Sequence, residues 1–197
     1  MPSADFGKYV VGAGILGALV FLFSRAAAQS GSSTLAQDAI SSAGATPSIG
    51  VPKVKITETQ KSMVALIQTK AQDALIDPAF MVALAVTESS LNPAAVGDDG
   101  KSFGLFQLTV AAISQFSPDV TPASLLDGEL NAGWAMLYMR KYFTDFPGFT
   151  YADYAEAWTL GAHGRFQLGR RNPLKIINMN QASTDLGLTL NLGEVPT

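Results

Sequence analysis

Apolar runs separated by short polar breaks recur along the chain from Thr57 onward, at lengths typical of helices. Thr57 is expected to cap a helix that continues through MVALIQTKAQDAL, and Asp77 with Pro78 to open a second one through FMVALAVTE. Alternation typical of a strand does not persist anywhere in this region. Further start signals lie at Thr109, Thr121 with Pro122, Asp127, Thr150, and Asn172 with Pro173. The pattern predicts an all-α domain over residues 57–197.

A glycine-rich polar segment, AAVGDDGKSFG, interrupts the helical pattern after the second predicted helix. Its composition is typical both of a loop and of a short hairpin, and the sequence leaves both open. The chain has no internal repeat.

The first residues differ in character from the rest. Residues 9–23, YVVGAGILGALVFLF, carry no charge, and as a helix they would reach only about 22 Å of the roughly 30 Å hydrocarbon core. Extension to Ala28, with Arg25 snorkelling, reaches about 30 Å and predicts a transmembrane segment over residues 9–28. The alternative is a signal peptide cleaved after small residues near Ala28, which a barely basic leading segment disfavours. Residues 29–56, rich in Ser, Ala and Gly, are predicted to form a flexible linker.

Composition narrows the chemistry of the domain. A chain of 197 residues with 48% hydrophobic and 15% charged residues suits one domain with a sizeable core, and a net charge of -3 gives no reason to expect nucleic acid as a partner. The absence of cysteine excludes a cysteine nucleophile and a thiolate metal site. A single histidine excludes a multi-histidine metal site. Metal sites built on thiolates or on several histidines are therefore not expected.

Glu88 stands out because it follows the apolar run FMVALAV. Burial among such residues would raise the pKa of its carboxyl group and let it donate a proton near neutral pH. A proton donor of this kind is what cleavage of a glycosidic bond needs at the leaving oxygen. The alternative is a solvent-facing glutamate in the last turn of a helix.

The surroundings of Glu88 carry a family resemblance. The matching positions are Glu88, Ser89, Leu91, Asn92 and Pro93, then Gly104, Leu105, Phe106 and Gln107, and further on Asn131, Gly133, Tyr138 and Met139. These motifs resemble those of the lysozyme-like lytic transglycosylases, the SLT family, and more distantly goose-type lysozyme, with Phe106 in place of the usual methionine. The resemblance covers residues 78–164 and implies an all-helical, lysozyme-like fold.

The resemblance also implies an activity. It implies cleavage of the β-1,4 bond between N-acetylmuramic acid and N-acetylglucosamine in peptidoglycan glycan strands, with Glu88 as the catalytic acid and base, a 1,6-anhydro product and no cofactor. Ser89, Gly104, Leu105, Phe106 and Gln107 would then contribute to substrate binding.

The residue types of this set fit such a role. We expect Ser89 to orient the carboxyl group, Gly104 to let the backbone approach a sugar, and Gln107 to offer a donor and an acceptor. Their structural alternatives are a hydroxyl at a helix end, a loop glycine and a surface amide.

The family's third motif, usually Ala-Tyr-Asn-Ala-Gly, is altered in this chain. The best match is AWTLG, which places Trp158 at the tyrosine and Thr159 at the asparagine. Because an indole nitrogen can donate but not accept, the polar contact that the family tyrosine makes to the glutamate is in doubt. Tyr151 or Tyr154, on the same predicted helix, is a candidate replacement. Tyr154, Trp158 and Thr159 are also candidate substrate-binding residues. For Trp158 this role would be that of a sugar platform, and the alternative is a core aromatic residue.

Asp98 and Asp99 are candidates for a second carboxylate. Inverting hydrolysis needs a base about 6.5 to 9.5 Å across the bond from the acid, and a loop that folds over the cleft would bring either aspartate there. The alternative is a polar turn, because Asp-Asp-Gly is ordinary turn chemistry.

Three functions remain open from the sequence: a lytic transglycosylase, a hydrolase of the same fold, and a catalytically silent protein that binds the wall. For either enzyme we expect a single-pass membrane protein held by residues 9–28, with its domain on the wall side, because peptidoglycan is absent from the cytoplasm. A bacterial envelope and a phage virion membrane both fit this arrangement.

Overall fold

Seven α-helices, one hairpin and a π-helical turn make up residues 56–195, the part of the chain that the computed structural model describes. The helices are α1 (Glu58–Asp73), α2 (Pro78–Ser89), α3 (Val110–Ile113), α4 (Pro122–Leu125), α5 (Gly128–Asp145), α6 (Tyr151–Ala162) and α7 (Pro173–Leu186). The mainly helical prediction is confirmed for this range. The predicted transmembrane segment at residues 9–28 lies outside the described residues. Within residues 56–195 no helix is both long and apolar enough to cross a membrane.

Each predicted helix start is confirmed by a side chain that caps the helix. Thr57 accepts a hydrogen bond from the amide of Gln60, whose side chain bonds back to the Thr57 amide in a capping box. The other caps are Asp77, Thr109, Thr121, Asp127, Thr150 and Asn172. Short polar side chains favour these positions because they satisfy amides that have no partner inside the helix.

Helix α2 runs through the centre of the core. Its residues from Phe80 to Ala85 are all fully buried, which explains why its sequence lacks an amphipathic alternation. Burial of each large apolar side chain contributes roughly 1.5 to 3 kcal/mol. The helix packs against α1 and α7 and ends at Ser90, a left-handed residue with φ of 55°. The central position of α2 fixes the place of Glu88 in its last turn.

The polar segment after α2 forms a hairpin rather than an irregular loop. Strand β1 (Val96–Gly97) pairs antiparallel with β2 (Ser102–Phe103). A second pairing, between Phe103 and Leu108, closes a tight loop over residues 104–107. The hairpin therefore presents two consecutive turns beside the end of α2.

Helix α6 changes direction near its end, at Gly161. The backbone there has φ of 73° and ψ of 154°, a conformation that is essentially restricted to glycine. A π-helical turn, His163–Gln167, follows. The glycine of the AWTLG segment thus serves to redirect the chain towards α7.

The carboxyl-terminal segment is tied to the start of α6. The amide of Tyr151 donates to the carbonyl of Gly193 at 2.9 Å, and that of Ala152 donates to Leu192 at 3.2 Å. Thr150 and Glu194 form an isolated antiparallel bridge beside them. Amides in the first turn of α6, which have no partner within the helix, are satisfied in this way.

Candidate active site

Glu88 lies in the last turn of α2 with 14% of its side chain exposed. Its Oε1 is 2.5 Å from the Nζ of Lys175, which lies in the first turn of α7. The Lys175 side chain is only 7% exposed. The solvent-facing alternative is wrong, because the carboxyl group is mostly enclosed. The apolar run before Glu88 gave no sign of a charged neighbour, and in the structure a buried cation contacts the carboxyl group directly.

Lys175 is itself held by a second contact on α2. Its Nζ donates to Thr87 Oγ1 at 2.6 Å, and Thr87 Oγ1 donates in turn to the carbonyl of Leu84 at 2.8 Å. Two acceptors on adjacent residues of one helix therefore fix the ammonium group. This arrangement leaves Lys175 little freedom to move away from Glu88.

Ser89 does not orient the carboxyl group as the sequence suggested. Its hydroxyl lies 2.8 Å from the carbonyl of Leu105 and 3.3 Å from that of Ala85, and it donates to these acceptors. The serine next to the candidate acid therefore ties the end of α2 to the 104–107 loop. Ser89 thereby connects the matched positions around Glu88 with those of the 104–107 loop.

Gly104 is required by packing inside the protein. A Cβ atom there would lie 2.3 Å from the carbonyl oxygen of Leu125 and 2.4 Å from Nδ2 of Asn131, and φ is 76°. The Cβ direction at this position points into the domain, so crowding in the interior, and not a sugar groove, excludes a side chain here. A glycan contact through the Gly104 backbone stays a prediction.

Gln107 is 4% exposed, and its amide group bonds to the protein. Its Oε1 accepts from Ser102 Oγ at 2.9 Å, while Nε2 donates to the carbonyls of Gly104 at 3.0 Å and Ala95 at 3.3 Å. The surface-amide alternative is wrong. These bonds make Gln107 a clamp on the hairpin, and its role in sugar binding stays a prediction.

Asn131 completes the support of the 104–107 loop. Its Oδ1 accepts from the Phe106 amide at 3.0 Å, and its Nδ2 donates to the carbonyls of Phe103 at 3.0 Å and Leu125 at 2.8 Å. The side chain is fully buried, and both its donor hydrogens and its acceptor are used. The side chains of Leu105 and Phe106 are also fully buried, so this loop can offer a glycan mainly its backbone.

Trp158 is a core aromatic residue, with 2% of its surface exposed. Its Nε1 donates to the carbonyl of Phe106 at 3.1 Å, and its ring packs edge-on against Tyr138. The structure favours the core alternative over a sugar platform. The indole replaces a tyrosine here by bonding to the 104–107 loop instead of to Glu88.

Neither candidate tyrosine reaches Glu88. The hydroxyl of Tyr154 donates to the carbonyl of Phe146 at 2.6 Å, and that of Tyr151 accepts from the amide of Asp77 at 3.0 Å. Burial raises the pKa of both phenols, which therefore stay protonated. Thr159, on the same helix, is partly exposed, and its binding role stays a prediction. Among residues 56–195, Lys175 makes the polar contact to Glu88 that the third motif was expected to supply.

Asp98 and Asp99 form the tip of the hairpin. Both are left-handed, with φ of 50° and 53°, and the amides of Gly100 and Lys101 donate to the carbonyl of Gly97. This geometry is that of the polar turn that the sequence offered as an alternative. Neither aspartate contacts Glu88 among the described residues, and a role as second carboxylate stays a prediction.

A buried charge cluster anchors the start of α7, where Lys175 lies. Glu156 is fully buried, its Oε2 lies 2.8 Å from Nε of both Arg165 and Arg171, and its Oε1 accepts from the Asn172 amide at 3.1 Å. The Arg165 contact is an ion pair whose atoms do not meet hydrogen-bond geometry. The side chain of Asn172 caps α7 by accepting a hydrogen bond from the backbone amide of Lys175. The cluster therefore fixes the helix end that positions Lys175.

Asp153 belongs to the same cluster and links its stability to pH. Burial tends to raise the pKa of Asp153, but hydrogen bonds to Thr150 and the Arg165 guanidinium outweigh it and hold the pKa below its usual value. Asp153→Asn should lower the free energy of unfolding at pH 7 by about 2 kcal/mol, the scale of a hydrogen bond to a charged group. Urea unfolding at several pH values measures it.

The sign follows from the lowered pKa of Asp153. The stabilisation is complete above about pH 4, the usual value for an unfolded aspartate, and is lost as the pH falls through the folded value. The difference between parent and variant should therefore shrink below pH 4. Asp119→Asn, an exposed control, should match the parent throughout. A difference for Asp153→Asn that stays constant down to pH 2 would contradict the linkage.

An open depression of about 470 Å³ lies elsewhere on the surface, between α1 and α5. It is lined by residues that include Lys70, Glu129, Trp134 and Leu137. None of the predicted site residues lines it, so we do not assign it to the reaction.

Lys175 is the residue that sequence reasoning missed. Its signal is a cation three residues after the Asn172 cap, in the first helical turn, where the helix dipole disfavours positive charge. A lysine placed against the dipole inside the apolar string LKII indicates that some other group stabilises it. The identity of that group, Glu88, emerges only from the fold.

Comparison with known families agrees with this geometry. The family model described as the transglycosylase SLT domain matches residues 65–167, more than half of the chain, so the chain belongs to the SLT transglycosylase family. The match spans α2, the hairpin, α5 and α6, and it ends before α7. Comparison with the curated proteins and with the solved structures gives no match. Family membership supports a peptidoglycan-cleaving enzyme of the lytic transglycosylase class.

Proposed function

We propose that the protein is a lytic transglycosylase that cleaves the β-1,4 bond between N-acetylmuramic acid and N-acetylglucosamine and leaves a 1,6-anhydro end. The observation that carries the proposal is a single, mostly enclosed carboxyl group, Glu88, beside the loop that the SLT motifs define. Such a group can serve first as acid and then as base.

The reaction has two proton transfers. Protonated Glu88 gives its proton to the glycosidic oxygen as the bond from that oxygen to C1 of the muramoyl sugar breaks. The Glu88 carboxylate then takes the proton of the muramoyl 6-hydroxyl while that oxygen bonds to C1. The carboxyl group ends as it began, and water is not consumed.

The surroundings of Glu88 suit this sequence of steps. The Oε1 atom is held by Lys175, and among residues 56–195 Oε2 accepts no hydrogen bond, which leaves that atom for the substrate. Ser89 and Asn131 hold the 104–107 loop at the end of α2, so the carboxyl group sits on a rigid support. Pre-positioned groups of this kind lower the entropic cost of reaching the transition state.

The product identifies the reaction. Muropeptides released from purified peptidoglycan should carry anhydro ends, lighter by one water than hydrolysed ends, as measured by mass spectrometry. The reason is that the 6-hydroxyl, and not water, attacks C1.

Other products would point to the rival functions. Reducing ends that have gained water would indicate the hydrolase, and Asp98→Asn and Asp99→Asn would then show whether either carboxylate activates that water. No release from purified wall would favour a silent binding protein.

We also propose that residues 9–28 anchor the protein in a membrane, with the domain on the wall side. The support is the uncharged apolar run followed by a polar linker, together with a substrate that lies outside the cytoplasm. Either a bacterial envelope or a virion membrane that meets the wall during infection would suit this arrangement. Sequencing of the mature amino terminus tests it, because a chain that begins near Gln29 would show a cleaved signal peptide.

A further inference from the structure

We infer that Lys175 is a positioning residue for Glu88, which holds Oε1 so that Oε2 alone exchanges the proton with the substrate. This role rests on the proposed function. It concerns a residue on α7, beyond the region that the family model matches.

The geometry assigns different tasks to the two oxygens of Glu88. Lys175 Nζ lies 2.5 Å from Oε1, and an ammonium group can only donate. The oxygen in contact with it must therefore be the acceptor in both protonation states. When Glu88 is protonated, its proton resides on Oε2, which has no hydrogen-bond partner among the described residues.

Without its partners, Lys175 in this position would destabilise the folded protein. Its ammonium group is removed from water, and it lies in the first turn of a 14-residue helix, at the positive end of the helix dipole. The contacts with Glu88 and Thr87 must offset both costs. An uncharged, apolar side chain would fill the same space without either cost, so packing alone does not account for a lysine here.

The other charged groups on the elements that pack against α7 have partners of their own, apart from the Glu88–Lys175 pair. The charged groups of α6 and the π-helical turn that adjoin α7 are Asp153, Glu156 and Arg165, which pair with one another and with Arg171. On α2, which packs against α7 most extensively, Glu88 is the carboxylate that meets Lys175. The Glu88–Lys175 interaction is therefore largely set by its own two members.

The cation affects both chemical steps. In the first step Glu88 loses its proton and becomes negative, and the adjacent ammonium group stabilises the charge that develops. In the second step the carboxylate takes the proton of the 6-hydroxyl at Oε2, while Oε1 stays bound to Lys175.

The variants Lys175→Met and Lys175→Arg test this role in the full-length protein. Lys175→Met should lower kcat for muropeptide release at least tenfold with KM within twofold, because Lys175 contacts Glu88 rather than open solvent. Its pH profile should also differ from the parent's, because the charge beside Oε1 is gone. Lys175→Arg should keep the parent's pH profile and recover part of kcat.

Matched variants separate this role from a structural one. Lys70→Met removes another ion-paired lysine, bound to exposed Glu129, and should match the parent in every measurement. Thr87→Val keeps the Glu88–Lys175 pair but removes the second acceptor of Nζ, and should lower kcat severalfold with the pH profile unchanged. Thermal unfolding checks that each variant is folded, and Thr87→Val and Lys175→Arg carry the test if Lys175→Met does not fold.

The outcomes distinguish the two proposals. An active parent together with a folded Lys175→Met that keeps the parent's kcat and pH profile would overturn the positioning role and leave the proposed function intact. If Lys175→Met does not fold, the other two variants decide. The positioning role would be overturned if Thr87→Val kept the parent's kcat, or if Lys175→Arg had a shifted pH profile. A parent that releases no muropeptides would overturn the proposed function and this role with it.

Discussion

Glu88→Gln should reduce the release of muropeptides from peptidoglycan by on the order of a hundredfold or more, the scale of general acid and base catalysis. Glutamine keeps the shape of the side chain but can neither give up a proton nor accept one in this way. The amide Oε1 can still accept a hydrogen bond from Lys175, so the variant should fold. The measurement is the initial rate of release by mass spectrometry, with thermal unfolding as a check.

A matched variant makes the Glu88 result specific. Glu129→Gln removes an exposed carboxylate whose ion pair with Lys70 lies on the surface, and it should leave the rate within twofold of the parent. Binding to sedimented wall should persist in both variants. Parental rates in Glu88→Gln would refute the assignment of Glu88 as the acid.

Gly104→Ala should destabilise the domain by at least about 3 kcal/mol. A left-handed backbone costs an alanine about 1 to 2 kcal/mol, and the added Cβ would also overlap the carbonyl oxygen of Leu125 at 2.3 Å, which forces the backbone to move. A loss of this size is a large part of the 5 to 15 kcal/mol that usually stabilises a domain. Urea unfolding of parent and variant measures it.

Gly100→Ala provides the control because it separates backbone strain from overlap. Gly100 at the hairpin tip is also left-handed, with φ of 84°, but a Cβ there would meet nothing within 4 Å. We expect this variant to lose only about 1 kcal/mol. Equal losses in the two variants would show that the crowding at Gly104 is relieved without cost.

Local signals account for the part of the fold that the sequence predicted. A cap such as Thr57 or Asp77 acts on amides two or three residues away, so its effect can be read from neighbouring letters. The Asp-Asp-Gly turn is predictable for the same reason, because its signal lies in three adjacent residues. Glu88 could be predicted as a site residue for a similar reason, because a charged residue after an uncharged apolar run is visible within a few positions.

Contacts between distant residues account for what the sequence did not predict. Lys175 and Glu88 are 87 positions apart, and nothing near either residue specifies the other. Ser89, Gly104 and Gln107 were identified as motif positions, but their inward bonds depend on where the hairpin and α5 pack. A motif thus marks which residues matter without showing whether they face the substrate or the interior.

The tie between the carboxyl-terminal segment and α6 bears on the order in which the domain is completed. Because the carbonyls of Gly193 and Leu192 accept from the amides of Tyr151 and Ala152, a growing chain on the ribosome cannot form these two hydrogen bonds until residues 192 and 193 emerge. Closing such non-local contacts slows folding, since chain entropy is lost before they form. A wall-cleaving enzyme built in this way acquires its final stability only after residues 192–194 have been made.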